Sequence, residues 1–477
     1  MKLKSLKYAQ EETKMDNNMQ FRKFGFKDRL SYMVGSMGCD FLFFLSSMYL
    51  LKFYTDVMGV SAGLVGGMMM VSRFVDAFTD VAMGQIVDRA PTKARGKFTP
   101  FLLLVSGPVC VASFLMYATW FRNMSMGFKV FWMFFTYLLW GSICYTGVNI
   151  PYGSMASAIT DDPKERAELS NWRTIGSQVV MILVSVVLPT FIYYTNADNQ
   201  TVLSGTRVTI WAAILSVVSF ICFMVCYYTT VERVRFTRTN KKFSFGHLFK
   251  SLITNRALIG IVVVSLLCLL GQLSYSNMQS YIYPNYFDSA GAISITSLIG
   301  IVITLICSTF VVQLSDKFGR KNLAIFSAAI QAASFIVLYF IHTENIWVWT
   351  VIFEIGFIGS GIFSLITWAM LTDVIDDTEV VTHERADGTI YSIYSFARKC
   401  GQGFSSGLAG AMLSAIGYTT ATAFNPDVID GIYNITCLVP AGSFIALTIV
   451  TIFMYPLSKK RVEANTAELR RRRQASH

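Results

Sequence analysis

Long apolar runs recur along the whole sequence of 477 residues. A run of about 20 apolar residues is long enough to cross the hydrocarbon core of a bilayer as an α-helix. Hydropathy predicts about twelve such helices, at 30–55, 61–87, 98–120, 127–158, 168–194, 207–230, 257–287, 291–314, 322–342, 346–374, 388–416 and 429–455. The predicted fold class is therefore an all-α polytopic membrane protein.

The composition supports a membrane protein and excludes other classes. Hydrophobic residues make up 53% of the chain and charged residues only 14%, whereas soluble domains have about 25% charged residues. A soluble enzyme, a disordered protein and a secreted disulfide scaffold are excluded. The nine cysteines lack metal-ligand spacing, and the four histidines lie in loops or at the terminus. We therefore expect no catalytic centre and no cofactor.

Lysine and arginine residues collect in alternate polar segments. They are dense in both tails, in the loop after the second helix and in the central loop, while the segments near 56–61, 195–206, 288–291, 343–346 and 417–428 have none. By the positive-inside rule, both termini are predicted to be cytoplasmic in a multi-pass protein of the cell membrane. The net charge of +11 is thus assigned to topology and not to nucleic-acid binding.

A short charged pattern occurs twice and divides the chain into halves. Asp88 and Arg89 follow the second predicted helix, and Asp316 and Arg320 follow the eighth. The predicted segments are a basic cytoplasmic segment 1–29, a six-helix bundle 30–230, a central loop 231–256, a second six-helix bundle 257–455 and a basic tail 456–477. This layout resembles the major facilitator superfamily, whose two halves rock around a central site. The four charges are either topology signals or gate-stabilising pairs.

Two aspartates lie four residues apart within the second predicted helix. A charge at the bilayer centre costs roughly 3 kcal/mol or more, and this spacing puts Asp76 and Asp80 on one helix face. Two buried anions this close require a proton or a cation between them. The pair is predicted to bind Na⁺, Li⁺ or H⁺. The alternative is that both aspartates simply form ion pairs with arginine or lysine residues of a neighbouring helix. Arg73 of the same helix would not suffice, because one guanidinium beside two carboxylates leaves a net negative charge.

Further polar residues are predicted inside the bundle. They are Asp40 in the first helix, Thr146 and Asn149 before Pro151 in the fourth, Arg173 in the fifth, Glu354 in the tenth and Lys399 in the eleventh, with Tyr152 and Trp172 nearby in sequence. Carboxylates and amides accept from sugar hydroxyls, basic groups donate to them, and aromatic rings stack on sugars. The mixture suits a hydroxylated ligand. Asp40 could instead form only helix-packing hydrogen bonds, and for Glu354 a helix–helix hydrogen bond is the favoured interpretation.

Several long motifs carry a family resemblance between Gly25 and Pro456. They are YLLKFYTD (49–56), RFVDAFTD (73–80), DR (88–89) with RGKFTP (95–100), NIPY (149–152), TDVIDDTE (372–379) and YSIYSFARK (391–399). With these motifs the chain resembles the glycoside–pentoside–hexuronide:cation symporters, the melibiose permease-like family of the major facilitator superfamily.

The resemblance implies residue roles. It implies a coupling-cation site at Asp76, Asp80 and Thr146, and a substrate site at Asp40, Asn149, Arg173, Lys399 and Tyr152. Asn149 stands where melibiose permease-like carriers have a second sugar-binding aspartate, Gly153 replaces a stacking tryptophan, and Cys39 replaces a lysine. A galactoside is therefore not expected, whereas a uronide or a neutral xyloside would each fit.

The resulting prediction is a symporter that imports a glycoside, pentoside or hexuronide with Na⁺ or H⁺ by alternating access. Its partners would be the solute, the cation and membrane lipid. One alternative is a Na⁺-coupled lysolipid transporter of the same fold. Another is a membrane sugar sensor that binds without transport, although the basic tail of about twenty residues is short for an output domain.

Overall fold

The computed structural model describes residues 22–92, 95–234, 255–382 and 387–475. Most of the predicted segment 1–29 and of the central loop 231–256 lies outside the described residues. A long helical segment is present at each of the twelve predicted positions. The first six are α1 (Phe26–Val57), α2 (Ala62–Arg89), α3 (Thr99–Phe121), α4 (Met126–Ile159), α5 (Lys164–Ile192) and α6 (Gly205–Thr229). The second six are α7 (Arg256–Tyr286), α8 (Gly291–Phe318), α9 (Arg320–Ile341), α10 (Ile346–Thr382), α11 (Asp387–Ala415) and α12 (Pro426–Phe453).

Among the described residues, ten of these helices are long and apolar enough to cross a membrane by length and composition. The other two are α2 and α11, whose charged residues lower their hydropathy. These two helices pack against each other along the seam between the two halves. A Cβ at Gly66 of α2 would lie 2.6 Å from the carbonyl oxygen of Ser406 in α11. The seam therefore depends on small residues that let two backbones approach, as in other membrane helix pairs.

In the described part of the chain, four helices contain a π-helical stretch, which is a rare backbone form that often occurs at functional sites. The stretches are Phe53–Val57 in α1, Leu139–Tyr145 in α4, Leu183–Val187 in α5 and Ile282–Tyr286 in α7. Those in α1 and α7 lie at the end of the bundle away from both termini, here called the distal end. The stretch in α4 faces α2.

Within the residues that the structure describes, two elements lie outside the twelve helices. A two-stranded antiparallel hairpin of β1 (Tyr193–Thr195) and β2 (Thr201–Leu203) connects α5 to α6 at the distal end, with Tyr193 opposite Leu203. The basic tail forms a thirteenth helix, α13 (Lys459–Ala475). Arg461 of α13 binds both carboxylate oxygens of Asp377 in α10 at 2.8 and 3.0 Å. The sequence predicts only a polar tail here, because hydropathy does not detect a polar helix.

The first turn of α3 is held by a carboxylate from the segment after α6. Glu232 is buried and accepts from the backbone nitrogens of Lys97, Phe98 and Thr99 at 2.6, 3.0 and 2.7 Å. Unpaired N–H groups at the start of a helix attract a negative charge. Gly96 adopts φ of 124° beside this carboxylate, where a Cβ would lie 2.3 Å from its carbon.

We predict that Glu232→Ala lowers the free energy of unfolding by roughly 3 kcal/mol, because several buried N–H donors lose a charged acceptor together. Glu232→Gln should have an intermediate effect, since its amide oxygen still accepts. Thermal unfolding in detergent measures the difference. Glu463→Ala in α13, whose side chain is 65% exposed, is the control. An unfolding midpoint of Glu232→Ala equal to that of the control would contradict the capping role.

Candidate functional site

The two aspartates of α2 face the π-helical stretch of α4. The Ser142 hydroxyl donates to Oδ1 of Asp76 at 2.6 Å, and the Thr146 hydroxyl donates to Oδ1 of Asp80 at 2.8 Å. A Cβ at Gly141 would lie 3.4 Å from Oδ1 of Asp76, so this carboxylate fits closely against the α4 backbone. Thr146 was predicted from the resemblance. Ser142 was missed, because a lone serine in an apolar run carries no distinct signal.

Each carboxylate also contacts a basic group. Arg73, one turn earlier in α2, donates to Asp76 at 3.3 Å. Lys399 reaches across from α11, pairs with Asp80 and donates to the backbone oxygen of Asp76 at 3.3 Å. Two anions and two cations thus balance in this conformation, as the pairing alternative expects. The Lys399–Asp80 pair differs from the Arg73–Asp76 pair in joining the two halves of the protein.

Four of the five predicted substrate residues lie in the first half, whereas Lys399 lies in α11 beside Asp80. Asp40 accepts at the same oxygen from the hydroxyls of Ser36 at 2.9 Å and Ser177 at 2.5 Å. The Arg173 guanidinium lies 5.6 Å from the centre of the Tyr152 ring, close enough for a cation–π contact. The arrangement brings α1, α4 and α5 together around one carboxylate and one guanidinium.

The remaining aromatic and amide candidates divide into packing residues and accessible residues. Tyr152 is buried, stacks on Tyr32 with ring centres 4.7 Å apart and donates its hydroxyl to the Tyr32 carbonyl at 2.5 Å. Trp172 packs edge-on against Phe26. Asn149 is partly exposed. A Cβ at Gly153 would meet no atom within 4 Å, so the missing tryptophan leaves open space.

A cavity of 290 Å³ lies between the halves and is lined by α1, α5, α7, α8, α9, α10 and α12. The predicted substrate residues do not line it. Its α1 wall begins at Phe43 and Phe44, one helical turn beyond Asp40. The second half supplies most of its polar lining, including Gln272, Gln279, Gln331, Ser360 and Glu354. Of these five residues only Glu354 stands out in the sequence, because neutral amides and hydroxyls in apolar helices carry no distinct signal.

The expectation for Glu354 is wrong. Glu354 is only 6% exposed, yet both of its carboxylate oxygens lack a hydrogen-bond partner among the described residues. A helix–helix hydrogen bond would require a donor on the facing surface of a neighbouring helix, and none reaches this carboxylate from the described residues. Glu354 is instead one of the residues that line the cavity.

A second polar contact between the halves closes the distal end. Lys52 of α1 is 1% exposed and its ammonium lies 2.8 Å from Asp56, 2.6 Å from Oδ1 of Asn285 in α7 and 2.9 Å from the Tyr418 hydroxyl. The Tyr418 hydroxyl also donates to Asp56 at 2.8 Å. We call these four residues the distal cluster. Lys52 and Asp56 both lie in the motif YLLKFYTD (49–56). Their partners Asn285 and Tyr418 are too distant in sequence for the contacts to be predicted.

The four charged residues predicted near the cytoplasmic ends form their contacts within their own halves. Arg89 donates to Gln85 at 3.2 Å, and the Asp88 carbonyl accepts from Lys97 at 3.0 Å. In the second half the Asp316 carbonyl accepts from Lys459 at 2.6 Å, and Arg320 pairs with Asp373. Among the described residues, none of these four contacts spans the halves. Their gating role stays a prediction.

Comparison with known proteins places the chain in a family. A family model for MFS/sugar transport proteins matches residues 31–459. The chain is 30% identical over 446 residues to the glucuronide carrier protein homolog of Escherichia coli K12, covering 93% of this chain and 95% of that relative. It is 28% identical to the isoprimeverose transporter of Lactiplantibacillus pentosus, with 91% and 89% covered. The chain belongs to the glycoside–pentoside–hexuronide:cation symporter family.

Solved structures agree on the fold of this family member. The crystal structure of a D-xylose-proton symporter matches with a TM-score of 0.66 at 14% identity, covering 91% of this chain and 98% of that chain. At this identity the likeness concerns the fold alone. The major facilitator superfamily fold is therefore confirmed, and the site residues rest on the geometry above.

We predict that Lys52→Met weakens closure of the distal end by roughly 2 kcal/mol, because it removes charged hydrogen bonds and leaves Asp56 without a counterion. Spin labels on cysteines introduced at the exposed positions Asp198 and Asn345 report the distance between the halves at this end. Labelling is selective because the native cysteines are buried. The variant should show a larger population of long distances.

Lys129→Met is the matched control, since Lys129 donates to the Met58 carbonyl within its own half. A distance distribution for Lys52→Met that is identical to that of the Lys129→Met control would refute closure by the distal cluster.

Proposed function

We propose that this protein is a secondary active symporter that imports a glycoside, pentoside or hexuronide together with Na⁺ or H⁺ across the cell membrane. Support comes from the family and from relatives named as carriers of glucuronides, isoprimeverose and glycosides. The observation that carries the proposal is the pair of carboxylates of Asp76 and Asp80. Asp80 forms an ion pair with Lys399 of the opposite half.

The coupling cation enters by competing with Lys399. The carboxylates of Asp76 and Asp80 and the hydroxyl of Thr146 supply oxygen ligands, which hard cations such as Na⁺ prefer. A proton on Asp80 would equally release the lysine. Either ion removes the electrostatic attraction that holds Lys399 to α2, so ion binding changes the contact between the halves.

The solute site lies next to this contact. Asp40 accepts hydrogen bonds from solute hydroxyls, while Arg173 and Asn149 donate to solute oxygens. Lys399, once released from Asp80, offers its ammonium group to the same space. Because cation and solute are coupled through one lysine, each must tighten the binding of the other by the same factor.

Alternating access follows from closing one end at a time. The distal cluster closes the end that the positive-inside rule assigns to the outside. An outward conformation therefore requires the contacts of Lys52 with Asn285 and Tyr418 to break. The charges at Asp88, Arg89, Asp316 and Arg320 are available to form contacts at the other end when the protein rocks to its outward conformation.

We predict that Asp80→Asn abolishes uphill solute accumulation in proteoliposomes, because a neutral amide neither binds the cation nor holds Lys399 by charge. Purified protein is tested with a panel of glycosides and glucuronides, with Na⁺ and pH gradients imposed separately. The gradient that drives the wild type identifies the coupling ion. Asp427→Asn, at an exposed position of α12, serves as the control.

Normal accumulation by Asp80→Asn would end the assignment of the cation site. Binding without flux in the wild type would instead favour a sensor, and flux of lysolipids without sugars would favour the lysolipid carrier.

A further inference from the structure

Two residues that line the cavity from the second half carry acceptor oxygens that receive no hydrogen bond within the described part of the chain. Both oxygens of Glu354 and the side-chain oxygen of Gln331 are buried and unpartnered among the described residues. Gln331 is 1% exposed and borders the same cavity from α9. The two residues that carry these three acceptor oxygens both line the cavity. A buried acceptor without a partner costs free energy, so the chain keeps this wall at the expense of stability.

Close packing of α9 and α10 fixes the position of this wall. A Cβ at Gly359 would lie 2.2 Å from the Ser327 carbonyl oxygen, and a Cβ at Gly356 would lie 3.0 Å from the Gln331 amide nitrogen. These glycines allow the two helices to touch, which sets Gln331 and Glu354 at neighbouring levels. Side chains fixed in this way cannot easily turn aside to find other partners.

The rest of the cavity lining is neutral. Glu354 is its only charged residue, and the described lining includes no lysine, arginine or histidine. Aromatic rings complete it. Tyr275 stacks on Phe353 with ring centres 4.2 Å apart, and Phe335 packs against both rings. A carboxylate or sulfonate in this space would face Glu354 with no cation to balance it. Hydroxyl groups would instead supply the missing donors, and the apolar face of a sugar ring would fit the aromatic rings.

We infer that Glu354 and Gln331 form a solute-binding wall in the second half that accepts hydrogen bonds from the hydroxyls of a neutral glycoside and disfavours an anionic uronide. This inference rests on the proposed transport function and narrows its substrate class. The cavity of 290 Å³ lies just below the range of volumes for small-molecule sites, which begins at about 300 Å³. A short glycoside is therefore the fitting occupant.

Two matched solute pairs test the inference. Methyl β-D-glucoside and methyl β-D-glucuronide differ only at C6, as do methyl β-D-galactoside and methyl β-D-galacturonide. Uptake of each is measured in proteoliposomes containing the full chain, at pH 6 and pH 8. At pH 8 the wild type should prefer the neutral member of any transported pair by roughly tenfold or more, as expected for charged hydrogen bonds. At pH 6 the preference should be smaller, because a buried carboxyl without a cation favours its protonated form. Glu354→Gln should reduce the preference at pH 8 to about threefold or less, because charge repulsion is lost.

Two further variants separate the role of Glu354 from general damage. Glu344→Gln makes the same chemical change at an exposed position before α10 and should keep the wild-type preference. Gln331→Met removes a neutral acceptor and should weaken uptake of the neutral glycosides several-fold, as for a lost hydrogen bond. Because it leaves Glu354 in place, uptake of the uronides should stay low.

The outcomes are distinct. A preference unchanged in Glu354→Gln, with uptake intact, overturns the inference and leaves the transport function standing. A changed pH dependence at unchanged preference identifies Glu354 as a proton site and also overturns it. A wild type that prefers the uronides overturns it directly. If the wild type transports no solute of the panel under any gradient, the proposed function fails as well.

Discussion

The ion pair between Lys399 and Asp80 is the contact on which the proposed coupling of cation and solute rests. It joins α11 to α2 and therefore joins the two halves near the middle of the bundle. Burying charges in lipid is costly, so a charge persists there when it is paired or used. The Lys399–Asp80 pair is both paired and used, because the ammonium of Lys399 is a cation that the coupling cation can replace. The glycines of α2 and α11 bring the helices close enough for the contact.

The polar contacts between the halves have different characters. The distal cluster is a set of fixed hydrogen bonds around one buried ammonium, with an amide and a tyrosine from the second half. The contact at Lys399 involves an acidic pair with hydroxyl neighbours, which an ion can enter. A closed end and an exchangeable centre are what alternating access requires. The acceptor wall at Glu354 adds a third feature, which discriminates between solutes and does not hold the halves together.

The sequence predicted the helices well because the length of an apolar run is a strong physical signal. Helices lie at the twelve predicted positions, and among the described residues ten of them are long and apolar enough to cross a membrane. The other two, α2 and α11, carry charges that lower their hydropathy. The polar helix α13 was missed for the converse reason. The proximity of Asp76 to Asp80 follows from helical spacing alone, and the contact with Thr146 was implied by the family resemblance.

Contacts between distant parts of the chain were beyond sequence reasoning. Lys399 and Asp80 are 319 residues apart, and nothing local indicates their pairing. The distal cluster likewise joins Lys52 to residues of α7 and the loop after α11. Glu354 was misjudged because its helix pattern does not show whether the facing surface provides a donor. Neutral glutamines and serines of the cavity gave no signal, since such residues are common in membrane helices without function.

The most direct test of the central claim is a cation titration of the purified wild type and of Lys399→Met in the absence of solute. Calorimetry follows Na⁺ binding, and proton uptake in unbuffered solution follows H⁺. If Lys399 competes with the coupling ion for Asp80, the variant should bind the same ion as the wild type roughly tenfold more tightly, because a charge-assisted contact no longer has to break. An affinity in Lys399→Met that is equal to or weaker than that of the wild type would contradict the account.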